Sequence, residues 1–387
     1  MAYAWGQERL GDIAEKVTEK NTKMEITDAL TNSAEFGIID QGDFFDHDVA
    51  SKENLSCYFI VNNNDFVYNP RISVTAPVGP IRRNKLGKSG VMSPLYTVFR
   101  PHDINLDFLE QYFKSEHWHR FMKWNGNSGA RSDRFAIKDE DFYNMPIPFP
   151  ALKEQEKVGR LLSGIESYVS LHQRKLDKLQ AIKKSLLQKM FPAEGEDRPQ
   201  IRFAGYTDAW GQEAFEDIAS RKSDAGISSQ DLPSVEYEDI ISDDGILNKD
   251  VRGKQTGKRG ILFEEGDVLY GKLRPYLHNW LKPSFNGVAV GDFWVLQPHE
   301  NIDVGFLYTL IKSPMFDSVA NLSSGSKMPR ADWNLVSSSA FSVPSTKEEQ
   351  HKIGKLFGTL DDSISLHQRK LEKLQQIKKA LLEQMFC

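Results

Sequence analysis

One long segment occurs twice in this chain of 387 residues, and that duplication restricts the possible folds more than any other feature. Residues 151–191 and 346–386 align without a gap at an offset of 195 (346 minus 151), and 22 of 41 positions are identical. The longest match is SLHQRKLDKLQAIKK against SLHQRKLEKLQQIKK. The chain therefore builds one kind of structural unit twice.

Weaker repeats precede each copy of this segment in the same order. AWGQE at 4–8 returns at 209–213, and INLDFLEQYFKS at 104–115 is echoed by IDVGFLYTLIKS at 302–313. Proline, glycine and charged residues after Phe191 mark a linker. The order globular unit, helix, linker, globular unit, helix predicts boundaries at 1–150, 151–191, 192–206, 207–343 and 344–387.

The repeated segment has the pattern of a coiled-coil helix. About 38 residues pass without proline, roughly 57 Å of helix, and apolar positions recur every 3.5 residues. A single amphipathic surface helix is the alternative, but two matching seams in one chain favour pairing of the two helices. The predicted core residues are Leu162, Ile165, Val169, His172, Leu176, Leu179, Phe357, Leu360, Ile364, His367, Leu371 and Leu374.

The pairing is predicted to be antiparallel, because a whole globular unit lies between the two helices. Equivalent central residues of two near-identical antiparallel seams must meet, which brings His172 opposite His367. Lys183 and Lys378 continue the seams towards the helix ends, where we expect their long stems to reach water.

Each globular unit is predicted to be α+β, with an antiparallel or mixed sheet. The fold class is therefore α+β, with two tandem, pseudo-two-fold-related domains separated by two long helices that form an antiparallel coiled coil. Helical patterns occur at 106–123 and 304–320. Short apolar and aromatic runs predict strands at 56–61, 65–68, 91–99, 266–270 and 288–296.

Composition narrows the class of protein. No run of 18 apolar residues exists and no apolar signal core begins the chain, so no membrane segment is expected. The two cysteines, Cys57 and Cys387, lack disulfide or zinc-ligand spacing, which favours the reducing cytoplasm. The net charge is −5, yet residues 66–102 contain six basic residues and no acidic one.

No motif for catalysis is complete. Gly87, Lys88 and Ser89 resemble the end of a phosphate-binding loop, but Arg82 stands where that loop needs glycine. The nearest text to an adenine methyltransferase motif is Asn69-Pro70-Arg71, which does not match it. We therefore predict no catalytic residue, metal site or cofactor in this chain.

The remaining candidates are basic residues in loops that differ between the two units. Arginine and lysine neutralise phosphates and hydrogen-bond to guanine edges. The alternative is a solvated charged loop. The repeated Ser-Gly-x-Arg/Lys-x-x-Arg motif indicates either a phosphate contact or a structural turn. The predicted DNA-binding residues are Arg71, Arg82, Arg83, Lys85, Lys88, Arg131, Arg134, Arg252, Lys254, Lys258, Arg259, Lys272, Arg274, Lys327 and Arg330.

Four features follow one another in the second half of the chain: IRFAGYTDAW at 201–210, a divergent domain, a Val-Pro step and a helix that contains LHQRKL. With this order and with its duplication, the chain resembles, over essentially its whole length, the specificity subunits of type I restriction-modification systems. The first unit lacks an IRFAGYTDAW-type lead-in, which leaves open whether the native N-terminus is complete.

The resemblance implies a non-catalytic subunit. Each globular unit would read one half of a split site in double-stranded DNA, and the helices would dock two modification (methyltransferase) subunits. S-adenosylmethionine would belong to those subunits, and ATP and Mg²⁺ to the restriction (translocase and endonuclease) subunits. An architectural coiled-coil adaptor and the recognition part of a single-chain DNA methyltransferase or nuclease are the alternatives.

Overall fold

The chain divides into two compact units in a computed structural model that describes residues 5–44, 52–128, 133–322 and 328–386. Unit 1 contains Met1–Leu171 and Leu371–Cys387, and unit 2 contains His172–Lys370. Each unit thus contains one globular part and a part of each long helix.

Unit 1 is built on a four-stranded antiparallel sheet with the order β2-β9-β6-β7. Strand β1 pairs with β12, so both ends of the globular part meet. The strands are β1 (Gly6–Arg9), β2 (Ala14–Lys16), β3 (Leu30–Ser33), β4 (Gly37–Asp40), β5 (Phe59–Val61), β6 (Phe66–Tyr68), β7 (Ile81–Arg83), β8 (Gly90–Met92), β9 (Thr97–Pro101), β10 (Asn127–Ser128), β11 (Phe135–Ala136) and β12 (Pro146–Phe149). The helices are α1 (Leu10–Ile13), α2 (Gln41–Phe44), α3 (Leu106–Lys114), α4 (His117–Asn125), α5 (Asp139–Tyr143) and α6 (Leu152–Lys189).

Aromatic packing forms the core of unit 1. Phe66 stacks on Phe99 across neighbouring strands, with ring centroids 5.6 Å apart, and both contact Phe113 of α3. Phe386, at the C-terminal end of the chain, packs against Phe108 of α3 at 5.4 Å. Helix α3 is therefore held between the sheet and the long helices.

Unit 2 repeats this sheet as β14-β23-β20-β21 and adds a second sheet, β15-β19-β22-β16, whose β16–β22 pair is parallel. Its strands are β13 (Gly211–Ala214), β14 (Ala219–Lys222), β15 (Ala225–Ile227), β16 (Ser234–Val235), β17 (Ile240–Ile241), β18 (Ile246–Leu247), β19 (Arg259–Phe263), β20 (Val268–Gly271), β21 (Trp280–Leu281), β22 (Gly287–Ala289), β23 (Phe293–Pro298) and β24 (Ala340–Val343). Its helices are α7 (Phe215–Ile218), α8 (Val304–Leu310), α9 (Pro314–Ala320), α10 (Trp333–Ser338) and α11 (Lys347–Met385).

The duplication extends to individual hydrogen bonds. Asn105 caps α3 by accepting from the backbone of Phe108, and Asp303 caps α8 in the same way. A glutamine of the adjoining long helix, Gln155 in unit 1 and Gln350 in unit 2, accepts from the backbone N–H of each cap residue. The predicted α+β class and tandem duplication are confirmed.

Four segments that the sequence predicted as continuous are interrupted. The strand predicted at 91–99 is two strands, β8 and β9, joined by a turn in which Tyr96 N–H donates to Ser93. The strand predicted at 288–296 breaks at Gly291, whose φ of +102° suits glycine.

The predicted helices at 106–123 and 304–320 break in the same way. In each, a serine with an extended backbone, Ser115 or Ser313, separates two short helices. In unit 2, Pro314 follows as the first residue of α9. Among the described helices, none has a stretch long and apolar enough to cross a membrane.

Candidate functional site

The long helices lie antiparallel to each other within each unit. In unit 2, His172 of α6 contacts His367 of α11, and further along α6 Lys183 contacts Asp361. In unit 1, Leu162 of α6 belongs to the same core as Phe386, and Glu166 contacts Lys378 of α11. Every residue predicted for the coiled-coil core is buried or half-buried.

The predicted contact between His172 and His367 is confirmed. Their Nδ1 atoms are 2.7 Å apart and their ring centroids 4.9 Å apart. One imidazole must donate to the other, so only one Nδ1 carries a proton in this arrangement. His367 is 7% exposed, and burial, with Lys175, His172 and Lys370 nearby, lowers its pKa.

We expect acid to loosen this histidine pair. Because the folded state lowers the pKa of His367, the unfolded chain binds the proton first. The neutral histidine pair therefore contributes fully to the free energy of unfolding above the ordinary histidine pKa of about 6.5. This contribution is lost as the pH falls below that value. The unfolding midpoint should therefore fall between about pH 7 and pH 5 more steeply in the wild type than in His172→Leu/His367→Leu. Equal slopes in thermal melts of the two proteins would contradict this.

The sequence-based placement of Lys183 and Lys378 was wrong. Instead of reaching water, the Lys183 ammonium lies 2.7 Å from Asp361, and both side chains are only 15% exposed. Lys378 lies 2.9 Å from Glu166 in the same way. A carboxylate on the opposite helix binds each ammonium group, so the stem does not need to extend into solvent.

A third group completes each ion pair. In unit 2, Lys312 Nζ lies 2.6 Å from the second oxygen of Asp361, and its side chain is 2% exposed. In unit 1, Lys114 Nζ lies 2.6 Å from Glu166. We call these clusters the paired lysine triads: Lys114–Glu166–Lys378 and Lys312–Asp361–Lys183. Each joins both long helices to one globular part.

One member of each triad, Glu166 in unit 1 and Lys312 in unit 2, has a shifted pKa. Burial alone would raise the pKa of Glu166, but Lys114 and Lys378 outweigh it and lower that pKa to about 2. Burial lowers the pKa of Lys312 to about 8, against the attraction of Asp361. In unit 2, the attraction of Asp361 therefore opposes the effect of burial on the Lys312 ammonium group.

Most predicted DNA-binding residues of the β7 region are already engaged within unit 1. Arg82 donates to the backbone oxygen of Ala34. The remaining partners lie far away in sequence. They are Asp107 for Arg83 (2.7 Å), Glu110 for Lys85 (3.2 Å), and Asp28 and Asp40 for Lys88 (2.7 and 3.2 Å).

Unit 2 shows the same behaviour. Lys254 lies 2.6 Å from Asp239 and also contacts Glu236, which Lys258 contacts too. Hydrogen bonds from Lys258 and Lys254 lower the pKa of Glu236 to about 2. Among the other predicted residues, Lys272 and Arg330 share Asp292, Arg252 pairs with nearby Asp250, and Arg259 and Arg274 are exposed.

The repeated Ser-Gly motif ends beside an equivalent loop in each unit. Arg134 forms an isolated bridge with Arg71, and Arg330 forms one with Leu273. Arg71 is exposed and Arg134 half-buried. Arg131 and Lys327 lie outside the described residues, and the phosphate contact of this motif stays a prediction.

Comparison with known proteins identifies the family. The model of the type I restriction modification DNA specificity domain matches residues 4–181 and 244–376, well over half of the chain. The specificity subunit of the type I restriction enzyme MjaVIII, from Methanocaldococcus jannaschii, is 20% identical over 322 residues, covering 77% of this chain and 73% of the relative.

A solved structure shares the fold over the full length. The S subunit of a type I restriction-modification system from M. genitalium matches with a TM-score of 0.66 and 15% sequence identity, covering 100% of this chain and 97% of that one. The family match, the duplicated units and the paired helices agree: this chain belongs to the type I restriction-modification DNA specificity family.

Proposed function

We propose that the chain reads a bipartite DNA site on behalf of a type I modification and restriction complex. The observation that carries this proposal is the unequal divergence of the two copies. The helices share 22 of 41 residues, whereas the globular parts differ in loop length, charge and sheet content. One role is common to both helices, and the globular parts perform two versions of one task.

The two half-sites should differ in sequence. The loop between β6 and β7 runs from Asn69 to Pro80, whereas the corresponding loop between β20 and β21 runs from Lys272 to Asn279 and is four residues shorter. Unit 2 also has the β15-β19-β22-β16 sheet. Different loops present different donors and acceptors to the bases, so the site is asymmetric. The long helices would set the gap between half-site centres at about one helical turn, roughly 34–36 Å.

The helices also have outward-facing apolar residues that occur at the same place in both copies. Leu171 and Leu366 are 53% and 48% exposed, and Ile182 and Ile377 are 39% and 40% exposed. We call these four residues the repeated exposed set. Apolar side chains kept identical at exposed positions favour an interface. Two equal surfaces suit two copies of one partner, which we take to be the modification subunit.

The chemistry would reside in the partner subunits. S-adenosylmethionine would serve the modification subunits, which must take the target adenine out of the base stack to methylate it. ATP and Mg²⁺ would serve the restriction subunits. We predict that the purified chain alone neither methylates nor cleaves DNA and does not hydrolyse ATP. Labelled methyl transfer, nicking and phosphate-release assays check this, and turnover by partner-free protein would contradict it.

DNA binding by the assembled complex tests the proposal against the architectural adaptor. A DNA reader that neutralises six to ten phosphates should lose about 10³–10⁵ in affinity between 50 and 200 mM salt. If the chain were an adaptor that makes no DNA contact, the remaining subunits would bind DNA with the same affinity in its absence. The measurement is a salt titration of binding with and without the chain.

A further inference from the structure

Unit 1 has a concave surface that is lined by exposed basic residues. Helix α4 and the β6–β7 loop enclose a cavity of about 570 Å³, which we call the α4 surface. Arg120 and Lys123 line this cavity, and Arg71 lies in the same β6–β7 loop as Val74. Among the residues that the structure describes, no carboxylate pairs with these three side chains, and all three are exposed. These charges are therefore available to an anionic partner, unlike those of the β7 region.

The same surface exposes large apolar side chains. Trp124, the penultimate residue of α4, is 72% exposed, and Val74 in the β6–β7 loop is fully exposed. The Arg120 guanidinium lies over the Trp124 ring, 4.3 Å from its centroid. Within α4 the buried residues are Trp118 and Met122, so the core of the unit does not need Trp124.

Unit 2 repeats this exposure at corresponding positions. Trp124 lies nine residues after Ser115 (124 minus 115), and Leu322 lies nine residues after Ser313 (322 minus 313). Leu322 is 65% exposed. Tyr276, at the position of Val74 in the corresponding loop, is 54% exposed. Each unit therefore exposes a large apolar side chain at both of these sequence positions, although the side chains differ.

We infer that the α4 surface is where unit 1 contacts DNA bases, with Trp124 and Val74 touching the groove and Arg71, Arg120 and Lys123 binding phosphates. The inference rests on the proposed function and locates its reading surface. Apolar side chains contact thymine methyl groups or wedge between base steps, and cations neutralise the flanking phosphates. Glu116 lines the cavity and carries the opposite charge, so the phosphates would approach from the Lys123 end.

The basic residues near β7 are less accessible to phosphates than those of the α4 surface, because they already form ion pairs. A phosphate approaching Arg83 or Lys88 would have to displace Asp107, or Asp28 and Asp40. No such displacement is needed at Arg120 or Lys123. The difference between paired and unpaired charges therefore favours the α4 surface.

The test uses the full chain assembled with its modification subunits. Trp124→Ala should weaken binding to the cognate site about tenfold or more, comparable to a mismatched base pair, and relax the preference at one half-site only. Arg120→Ala/Lys123→Ala should weaken binding to every sequence and lower the salt slope by about two. Leu95→Ala changes another exposed apolar side chain of unit 1, 59% exposed in the wild type. It is the matched control and should bind as the wild type does.

The outcomes separate this inference from the proposed function. If the wild-type complex shows no salt-dependent DNA binding, the proposed function fails. If the wild type binds but Trp124→Ala retains full affinity and preference at both half-sites, the α4 surface inference fails alone. Loss of modification-subunit binding by Trp124→Ala would also overturn it, because the surface would then be a protein interface. Thermal melts establish that each variant is folded.

Discussion

Replacing Asp361 by asparagine is expected to destabilise the protein by about 3–5 kcal/mol, the range for breaking a buried ion pair by removing one partner. Lys312 is 2% exposed at its side chain and Lys183 15%. Without the carboxylate, two ammonium groups would lie close together away from water. Repulsion and desolvation would then act in the same direction.

Asp362→Asn is the matched control, because Asp362 is the next residue of α11 and is exposed. An exposed substitution of this kind should change the free energy of unfolding by no more than about 0.5 kcal/mol. Urea titrations of the three proteins provide the comparison. Equal unfolding midpoints for Asp361→Asn and the wild type would show that the triad does not hold the globular part to the helices.

Introducing Leu171→Glu together with Leu366→Glu is expected to abolish assembly with modification subunits. Both side chains are about half exposed, so the isolated chain should remain folded. A central apolar contact in an interface contributes about 2 kcal/mol or more, equivalent to at least about thirtyfold in affinity. A carboxylate at each of two equivalent surfaces should therefore prevent both copies from binding.

Leu95→Glu introduces the same charge at an exposed leucine away from the helices. It should leave assembly unchanged in analytical ultracentrifugation or co-purification. Ile182→Glu with Ile377→Glu offers an independent change within the repeated exposed set. Full assembly of both helix variants would mean that the partner binds elsewhere on the chain.

The coiled coil could be predicted from sequence because its information is local and repeated. The 3.5-residue period specifies which face is buried, and the offset of 195 brings His172 opposite His367. No distant contact is needed for either step. The α+β class followed from short apolar runs in the same manner.

The sequence did not predict the paired lysine triads, because the coiled-coil prediction used only the spacing of apolar residues. Their signal was present, since Glu166 and Asp361 occupy the same place in the two copies. Lys114 is the last residue of α3, and Lys312 lies two residues after the end of α8. The third residue joins each cluster because α3 and α8 pack against the long helices. The 3.5-residue period of apolar residues does not predict that packing.

The ion pairs of the basic residues in the β7 region, Arg83, Lys85 and Lys88, could not be predicted from the sequence either. Its local stretch has no acid, which favoured free charges. Folding brings Asp28 and Asp40 to Lys88 from 60 and 48 residues away. Among the described residues, no distant carboxylate pairs with Arg120 or Lys123 in this way. The exposed Trp124 could be identified only from the structure, which shows that α4 buries Trp118 and Met122 instead.

The most direct test of the central claim is a map of methylated adenines in cells that carry this chain and its modification subunits. The account predicts one asymmetric motif with two defined halves and an unspecified gap. Replacing residues 207–343 with those of another family member should change one half and leave the other half and the gap intact. A single continuous motif, or a change in both halves after this exchange, would contradict the account.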